Sequence, residues 1–549
     1  MSTPVAKSRE STIVQIDGTW VSVPSGINAI EAARMQGKEV PHFCYHPKLQ
    51  VAGNCRMCLI EVGLPKSGTD KKPILGADGF PEIGWSPRPQ IGCATVVTEG
   101  MAFRTDSPAL REARKGVMEF LLANHPLDCP ICDQAGECRL QEHASDHGQA
   151  SGRFAEDKVK KPKRVPIGPR VMLDNERCVL CSRCIRFMRD VANDDCLGFV
   201  SRGSHTCLTT HPARQLESNY SLNTVDICPV GALTSQDFRF KMRVWFLKET
   251  PSICVSCGTG CNTIIGSREG KIYRQTPRNN EHVNQCWMCD DGRLNFKDLH
   301  SPDRVLTPTV RVRGEVFKTD WEDGFAQIAK LIKDIKPSEI AIVASARMTN
   351  EELFITKKIM GVLGRDTVTA DIVPRQQKAD HLLVCSDGNP NSRGARLLGV
   401  SQNGVRLPTI TGGINAGKYK AVFCFREDLS AIGVTPEALA SIPLLVVTGM
   451  IRTPTVEAAT FFFPGAGFAE KSGTMINVRD RLQRLNSAIP IPSGACDDWL
   501  ILAKILKAVG GECPESFDAL FGQMVQSVQA FGGLSWADIG SGGVPLHLE

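Results

Sequence analysis

Apolar and polar positions alternate differently along the two parts of this chain, with short β-rich runs early and longer mixed runs later. "TIVQIDGTWVSVP" (12–24) places two β-type runs around Asp17-Gly18, the signal of a hairpin closed by a tight turn. Ser25 is then positioned to cap a helix carrying Ile27, Ile30 and Ala33. "SPALREARKGVMEFLLAN" (107–124) predicts a second helix, with Ser107 as N-cap and Pro108 in the first helical position. Leu110, Ala113, Val117 and Leu121 share one face of it.

Past residue 306 the periodicity lengthens. "DWEDGFAQIAKLIKDI" (320–335) sets Trp321, Phe325, Ile328, Ile332 and Ile335 four and three apart, an amphipathic helix. "IAIVAS" (340–345) reads as a buried strand, followed by a helix from about Asn350 to Leu363. "KAVFCF" (420–425), "PLLVVTG" (443–449) and "ATFFFPG" (459–465) are further strands, and two apolar helical runs occupy 497–509 and 517–531. Helices alternating with apolar strands predict an α/β region with a mostly parallel sheet.

Composition narrows the class. At 549 residues the chain is too long for one core, and three to five domains are expected. No window approaches the roughly 18 consecutive apolar residues of a membrane span. The start, "MSTPVAKSRE", has no apolar core and no twin arginine, so no export signal is expected. A net charge of +5 gives no argument for nucleic acid, and the basic run "KVKKPKR" (158–164) reads as a solvated linker.

Cysteine changes the picture. There are 22, and all but Cys385, Cys424, Cys496 and Cys513 fall before residue 290. Without an export signal disulfides are disfavoured, and metal is the remaining reason for so many thiols. Four motifs follow in order. Cys44, Cys55, Cys58 and Cys93 lie in and after "CYHPKLQVAGNCRMC". Together with the hairpin and helix they resemble a plant-type ferredoxin, which holds a [2Fe–2S] cluster, although ten residues fill a first gap where that pattern has four.

His125, Cys129, Cys132 and Cys138 form the second motif; by spacing alone they suit a Cys₃His zinc site as well as a cluster. Cys178, Cys181 and Cys184 form CxxCxxC, and Cys228 precedes a proline, the way bacterial-type ferredoxins wrap a [4Fe–4S] cubane. Cys254, Cys257 and Cys261 form CxxCxxxC, with Cys289 as the last ligand and Cys286 spare. "GSREGKIYRQTP" (266–277) fills that gap as strand, turn and strand, with Gly270 in the turn.

Three other features carry less. Cys196 and Cys207 lack metal spacing and read as buried thiols. "GGINAGKY" (412–419) fits GxxxxGK, but Tyr419 replaces the Ser/Thr of a phosphate-binding loop and a strand follows it, so it reads as a glycine-rich loop. Cys385, in "LLVCSDGNPNSRG" (382–394), reads as part of a turn at a strand end. No "TSCCP"-type phrase of [FeFe]-hydrogenases occurs.

In this order, a β-rich [2Fe–2S] segment, HxxxCxxCxxxxxC, CxxCxxC with a remote Cys-Pro, and CxxCxxxC with a distant cysteine resemble the large iron–sulfur subunit of NADH–quinone oxidoreductase. The mitochondrial members of that family are the 75-kDa subunits. "GFAEKSGTMINVRDRLQRL" (467–485) is similar to the family's late phrase "AEKxGTFxNxEGRxQ", with Arg479-Asp480 where Glu-Gly is usual. The resemblance implies an α+β multidomain protein. Its parts are a β-grasp [2Fe–2S] domain (1–98), a His-Cys₃ [4Fe–4S] domain (99–150), a ferredoxin-like [4Fe–4S] domain (165–245), a further [4Fe–4S] domain (250–306) and a shortened molybdopterin-oxidoreductase-like α/β region (307–549).

It also implies the ligand sets. Cys44, Cys55, Cys58 and Cys93 take a [2Fe–2S] cluster. His125 with Cys129, Cys132 and Cys138, then Cys178, Cys181, Cys184 and Cys228, then Cys254, Cys257, Cys261 and Cys289 each take a [4Fe–4S] cluster. No molybdopterin and no catalytic acid or base are expected. The implied role is electron relay from an NADH/FMN-binding partner toward quinone, within the hydrophilic arm of respiratory complex I. The implied place is peripheral, on the cytoplasmic side of the inner (plasma) membrane, with no nucleic acid. An iron–sulfur subunit of a soluble NAD-dependent formate dehydrogenase or hydrogenase complex is the alternative. A neutral histidine replacing an anionic thiolate is expected to raise that cluster's potential.

Overall fold

The computed structural model describes residues 11–69, 71–364 and 367–547. The first ten residues, where no export signal is expected, lie outside them. Two compact units are present, residues 1–245 and 246–549.

The first unit begins with the expected hairpin. Ser11–Ile16 pairs antiparallel with Thr19–Pro24 across Asp17 and Gly18, both at positive φ as a two-residue turn requires. The Asp17 carboxylate accepts from the Thr105 N–H (2.6 Å) and from Lys38 Nζ (2.7 Å), tying the turn down. Ser11–Ile16 also pairs parallel with Ala102–Arg104, which pairs with Leu59–Pro65, making a mixed sheet. The helix Ala29–Met35 lies on it, burying Ala29, Ile30, Ala32 and Ala33 against Val14, Ile16, Ile60, Val62 and Phe103. This is the β-grasp arrangement of the expected fold. Its cap differs from expectation: Asn28, not Ser25, accepts from the Glu31 N–H (3.0 Å). Gly26 adopts positive φ and delays the helix start.

The helix Pro108–Asn124 has the expected cap, Ser107 Oγ accepting from the Leu110 N–H at 3.3 Å. Its buried side is Leu110, Arg114 and Met118, rotated from the expected stripe. Ala113, Val117 and Leu121 are only half-buried. Arg114 is buried because its guanidinium donates to the Leu59 (3.0 Å) and Thr105 (2.7 Å) carbonyls, an outlet that hydrophobic periodicity does not register.

The second unit is built on a seven-stranded sheet. Its order is Glu315–Lys318, Thr309–Val312, Phe461–Pro464, Leu444–Gly449, Ala421–Phe425, Ile340–Ala344 and Thr369–Ile372. The last five run parallel, as expected, and the first two join antiparallel at one edge. Successive residues feed opposite faces: Ile342, Phe423, Phe461 and Phe463 enter one core, and Val343, Val422, Val447 and Phe462 the other. The helix Trp321–Leu331 buries Phe325 and Ile328, and Phe325 stacks on Phe463 with centroids 4.5 Å apart. "GGINAGKY" corrects the loop expectation in part, since Gly412 and Gly413 close the helix Leu407–Asn415 before the chain turns into Ala421–Phe425. No helix among the described residues is long and apolar enough to cross a membrane.

Candidate iron–sulfur sites

The first thiol group is assembled by a loop and a strand start. Gly53 and Arg56 take positive φ and bend the chain so that Cys55 and Cys58 face Cys44, before Leu59–Pro65 begins. Cys44, Cys58 and Cys93 are buried and Cys55 is half-buried. Cys44 is hydrogen-bonded to the thiols of Cys55 and Cys93, and Cys58 to Cys93, so all four converge. The Cys55 and Cys93 thiols, together with the Cys55 and Asn54 N–H groups, hold Cys44 well below the ordinary thiol range.

His125 follows the last turn of Pro108–Asn124, and burial pushes its imidazole down to about 4, holding it in the neutral form that can ligate a metal. Cys129 opens the tight turn Cys129–Ile131, the Cys132 N–H donating to the Cys129 carbonyl at 3.1 Å. Cys138 is the N-cap of Arg139–His147, and burial pushes its thiol up to about 11. Arg177 stands in the field of both His125 and Cys132. It is 3% exposed and donates to Asp128 (2.8 Å), yet its Nη1 has no hydrogen-bond partner.

In the third group Leu180 and Ser182 take positive φ, folding the CxxCxxC loop back on itself so that the Leu180 N–H points at Cys178 Sγ (3.4 Å). Cys184 sits in the short helix Arg183–Arg186, which widens into a π-turn over Phe187–Val191. Burial pushes Cys178 up to about 12 and Cys181 to about 11, and each lies in the field of Cys228. Cys138 also lies in the field of Cys228, so the second and third groups are neighbours.

The fourth group lies in the second unit. Cys254 follows the strand Lys248–Ile253 and Cys261 precedes Asn262–Arg268, the Cys254 N–H donating to the Cys261 carbonyl at 2.8 Å. Cys289 caps Asp290–Leu294 through its sulfur, which accepts from the Gly292 N–H at 3.4 Å. Cys254 and Cys289 both stand in the field acting on Cys261. The late phrase supports this loop: Asn477 Nδ2 donates to the Thr259 carbonyl (3.2 Å), Gln483 Nε2 to Gly260 (2.9 Å), and the Val478 N–H to Gly258 (2.8 Å). Asp480, standing where the resemblance expects glycine, is at φ 55°, a left-handed turn that glycine favours and aspartate tolerates.

Two expectations need correction. Cys207 is half-buried, not buried like Cys196. Cys385 does not end a strand; its thiol is hydrogen-bonded to Cys257, making a fifth sulfur beside the fourth group. Nothing in the local spacing shows this, because 128 positions of chain separate the two.

The donor sets fit iron–sulfur clusters on two further observations. A Cβ built on Gly231 would lie 2.4 Å from Cys132 Sγ, and one on Gly292 3.0 Å from Cys254 Sγ and 3.1 Å from Cys289 Sγ. Only glycine leaves those sulfurs their space. The orphaned Arg177 Nη1 beside Cys132 suits an anionic group, as a thiolate-bound cluster is.

Comparison with known proteins gives the same order of regions. Family models match a 2Fe-2S iron-sulfur cluster binding domain at 9–108 and the NADH-ubiquinone oxidoreductase-G iron-sulfur binding region at 114–153. The ferredoxin-like domain of NADH-quinone oxidoreductase subunit 3 matches 168–234, and the NDSU1/NuoG-like 4Fe-4S domain of NADH-ubiquinone oxidoreductase matches 247–297. A molybdopterin oxidoreductase model matches 389–508. The NADH-quinone oxidoreductase G-type subunit of Rickettsia felis is 40% identical over 358 residues, 65% of this chain and 50% of that protein. Subunit 3 of the Thermus thermophilus enzyme is 36% identical over 400 residues, 68% of this chain and 51% of its own. The mitochondrial NADH dehydrogenase [ubiquinone] iron-sulfur protein 1 of Solanum tuberosum is 40% identical over 356 residues, 65% of this chain and 45% of its own. The chain thus spans about half the length of these curated relatives. It is a homologue of the G-type iron–sulfur subunit of NADH-quinone oxidoreductase, carrying 2Fe-2S and 4Fe-4S binding regions followed by a molybdopterin-oxidoreductase-type region.

Proposed function

We propose that this chain is an electron-transfer subunit of an NADH–quinone oxidoreductase. The observation that carries the reading is the convergence of cysteines within each region matched by an iron–sulfur family model. Cys44, Cys55, Cys58 and Cys93 hold one [2Fe–2S] cluster. His125, Cys129, Cys132 and Cys138 hold a [4Fe–4S] cluster, Cys178, Cys181, Cys184 and Cys228 a second, and Cys254, Cys257, Cys261 and Cys289 a third. Such clusters supply one-electron transfer, with potentials set by ligand charge, hydrogen bonds to sulfur and exposure.

The protein's part is to hold, space and bias them. Burial keeps water from most of the sulfurs, Cys129 alone among the cysteine ligands being exposed, Arg177 offers a guanidinium N–H beside the His125 site, and the two glycines keep the sulfurs clear of side chains. Oxidation of NADH belongs to an FMN-binding partner and reduction of quinone lies beyond further iron–sulfur subunits. The chain is peripheral, on the cytoplasmic side of the inner (plasma) membrane, with contact to the membrane arm only through partners. No nucleic acid and no pterin enter this reading.

Iron, acid-labile sulfide, zinc and molybdenum are measured on the anaerobically purified chain, with low-temperature EPR after dithionite reduction. About fourteen irons per chain and overlapping [2Fe–2S] and [4Fe–4S] signals are expected. Stoichiometric zinc with a silent spectrum overturns the reading. Stoichiometric molybdenum moves it to a formate dehydrogenase-type complex.

A further inference from the structure

Arg186 is 6% exposed and sits between the first and third thiol groups. Its Nη2 donates to the carbonyls of Cys44 (2.5 Å) and Cys181 (3.2 Å), each the carbonyl of a cluster cysteine. Its Nη1 donates to the Gln50 carbonyl and its Nε to Ser182 Oγ (3.1 Å). Arg183 repeats the pattern one turn earlier, bonding the Tyr45 carbonyl on one side and the Ile227 carbonyl (3.1 Å), next to Cys228, on the other. Asn54, next to Cys55, adds a bond to the Leu180 carbonyl at 3.1 Å. The loop of 44–54 and the loop of 178–186 are therefore bridged by hydrogen bonds from side chains of cluster-loop residues.

All of these bonds end on uncharged oxygens. None of Arg186's four hydrogen bonds reaches a carboxylate, whereas Arg177, equally buried, pairs with Asp128 and Asp174. A buried guanidinium without a counter-charge is strongly unfavourable, because its desolvation is not repaid. Sulfur stands beside both arginines: Cys181 lies in the field of Arg183 and Arg186, and Arg183 also in that of Cys44 and Cys228. A [2Fe–2S] or [4Fe–4S] cluster on four thiolates is an anion, and reduction adds one electron and one negative charge with no bond made or broken.

We propose that Arg186, seconded by Arg183, is a positioning residue shared by two clusters: its single positive charge raises the potentials of the Cys44 and Cys178 centres together, and its bonds fix their separation. This rests on the cluster assignment above and adds a role to residues outside every ligand set. The guanidinium alone has enough N–H groups in one plane to reach both loops, which a lysine ammonium cannot do.

The test is an EPR-monitored redox titration of the full cluster-bearing chain, wild type against Arg186→Met, Arg186→Lys and Arg183→Met. Loss of the charge in Arg186→Met is expected to lower the reduction equilibrium constant of both centres at least tenfold, about 59 mV for a one-electron couple. The centres on Cys254 and on His125 serve as internal references. Arg186→Lys keeps the charge and is expected to recover most of both shifts, while the spin–spin broadening between the two centres still changes because the bridge is lost. If Arg186→Met does not retain its clusters, Arg183→Met is expected to move both centres in the same direction by a smaller factor. Unmoved potentials in cluster-bearing variants overturn the inference, as does a shift of one centre only, or one that Arg186→Lys fails to reverse. Absence of the two centres from the wild-type chain would instead sink the cluster assignment itself.

Discussion

The two units of this chain solve the problem of a stable interior in different ways. In residues 246–549, strands such as Ile340–Ala344 and Ala421–Phe425 are buried along their whole length, and both faces of the sheet carry apolar cores. In residues 1–245 one apolar cluster draws on the ligand loops: Phe43, Cys44, Met57 and Cys181 join the helix residue Met118, flanked by Cys55, Cys138, Cys178 and Cys228. There the thiols occupy the place of aliphatic side chains. On the cluster assignment proposed above, the first unit's core is completed by what the sulfurs bind, while the sheet needs only its own side chains.

The largest expected effect breaks the comparison directly. Anaerobic chelation of iron from the full chain is expected to collapse amide hydrogen-exchange protection around Cys44–Cys228 by at least about a thousandfold, while Ile340–Ala344 and Ala421–Phe425 keep theirs. Equal loss in both units, read by mass spectrometry, would remove the distinction. The converse perturbation is Phe463→Ala, which empties a site stacked on Phe325 and Trp321 and is expected to cost the sheet about 3–5 kcal/mol. Exchange from Ala421–Phe425 should quicken accordingly, with the cluster EPR signals unaltered.

A smaller effect depends on pH. Burial pushes the Glu351 carboxyl up to about 7, where it meets the Thr474 N–H (2.9 Å) and hydroxyl (2.8 Å). A raised folded-state pKa means the contribution is full below about 4.5 and lost as pH rises through 7, about 3 kcal/mol in all. Glu351→Gln is expected to flatten that fall, measured as denaturation midpoints of the second unit at pH 5 and pH 8; an unchanged slope refutes the assignment. The smallest effect sharpens the first unit. His125→Cys is expected to keep its cluster and lower its potential by ~0.1 V, because an anionic thiolate replaces a neutral imidazole. A redox titration with no shift would count against the charge argument.

Much of the fold was legible because it follows from local rules. Asp17-Gly18 announces its turn, Ser107-Pro108 its helix start, and the apolar runs from Ile340 to Pro464 their strands. What escaped depends on partners far away in sequence. Arg114 is buried by two carbonyls supplied from 59 and 105, so a polar residue sits in the middle of a helix's buried face. Asn28 displaces Ser25 as cap because Gly26 shifts the helix start. The spacing of cysteines suggested the donor groups, since most thiols of each proposed set sit on one short loop. It could not reveal Cys385 beside Cys257, Arg177 beside Cys132, or the arginines spanning two loops.

Gly231 and Gly292 offer a way to dissect the proposed electron relay one segment at a time. A methyl group on Gly231 would press on a sulfur of the His125 site, and one on Gly292 on two sulfurs of the Cys254 site. Gly231→Ala and Gly292→Ala leave every ligand in place, yet each intrudes on a different centre. Difference spectra against the parent chain then isolate the signature of each centre from an otherwise overlapping signal, without deleting a single ligand.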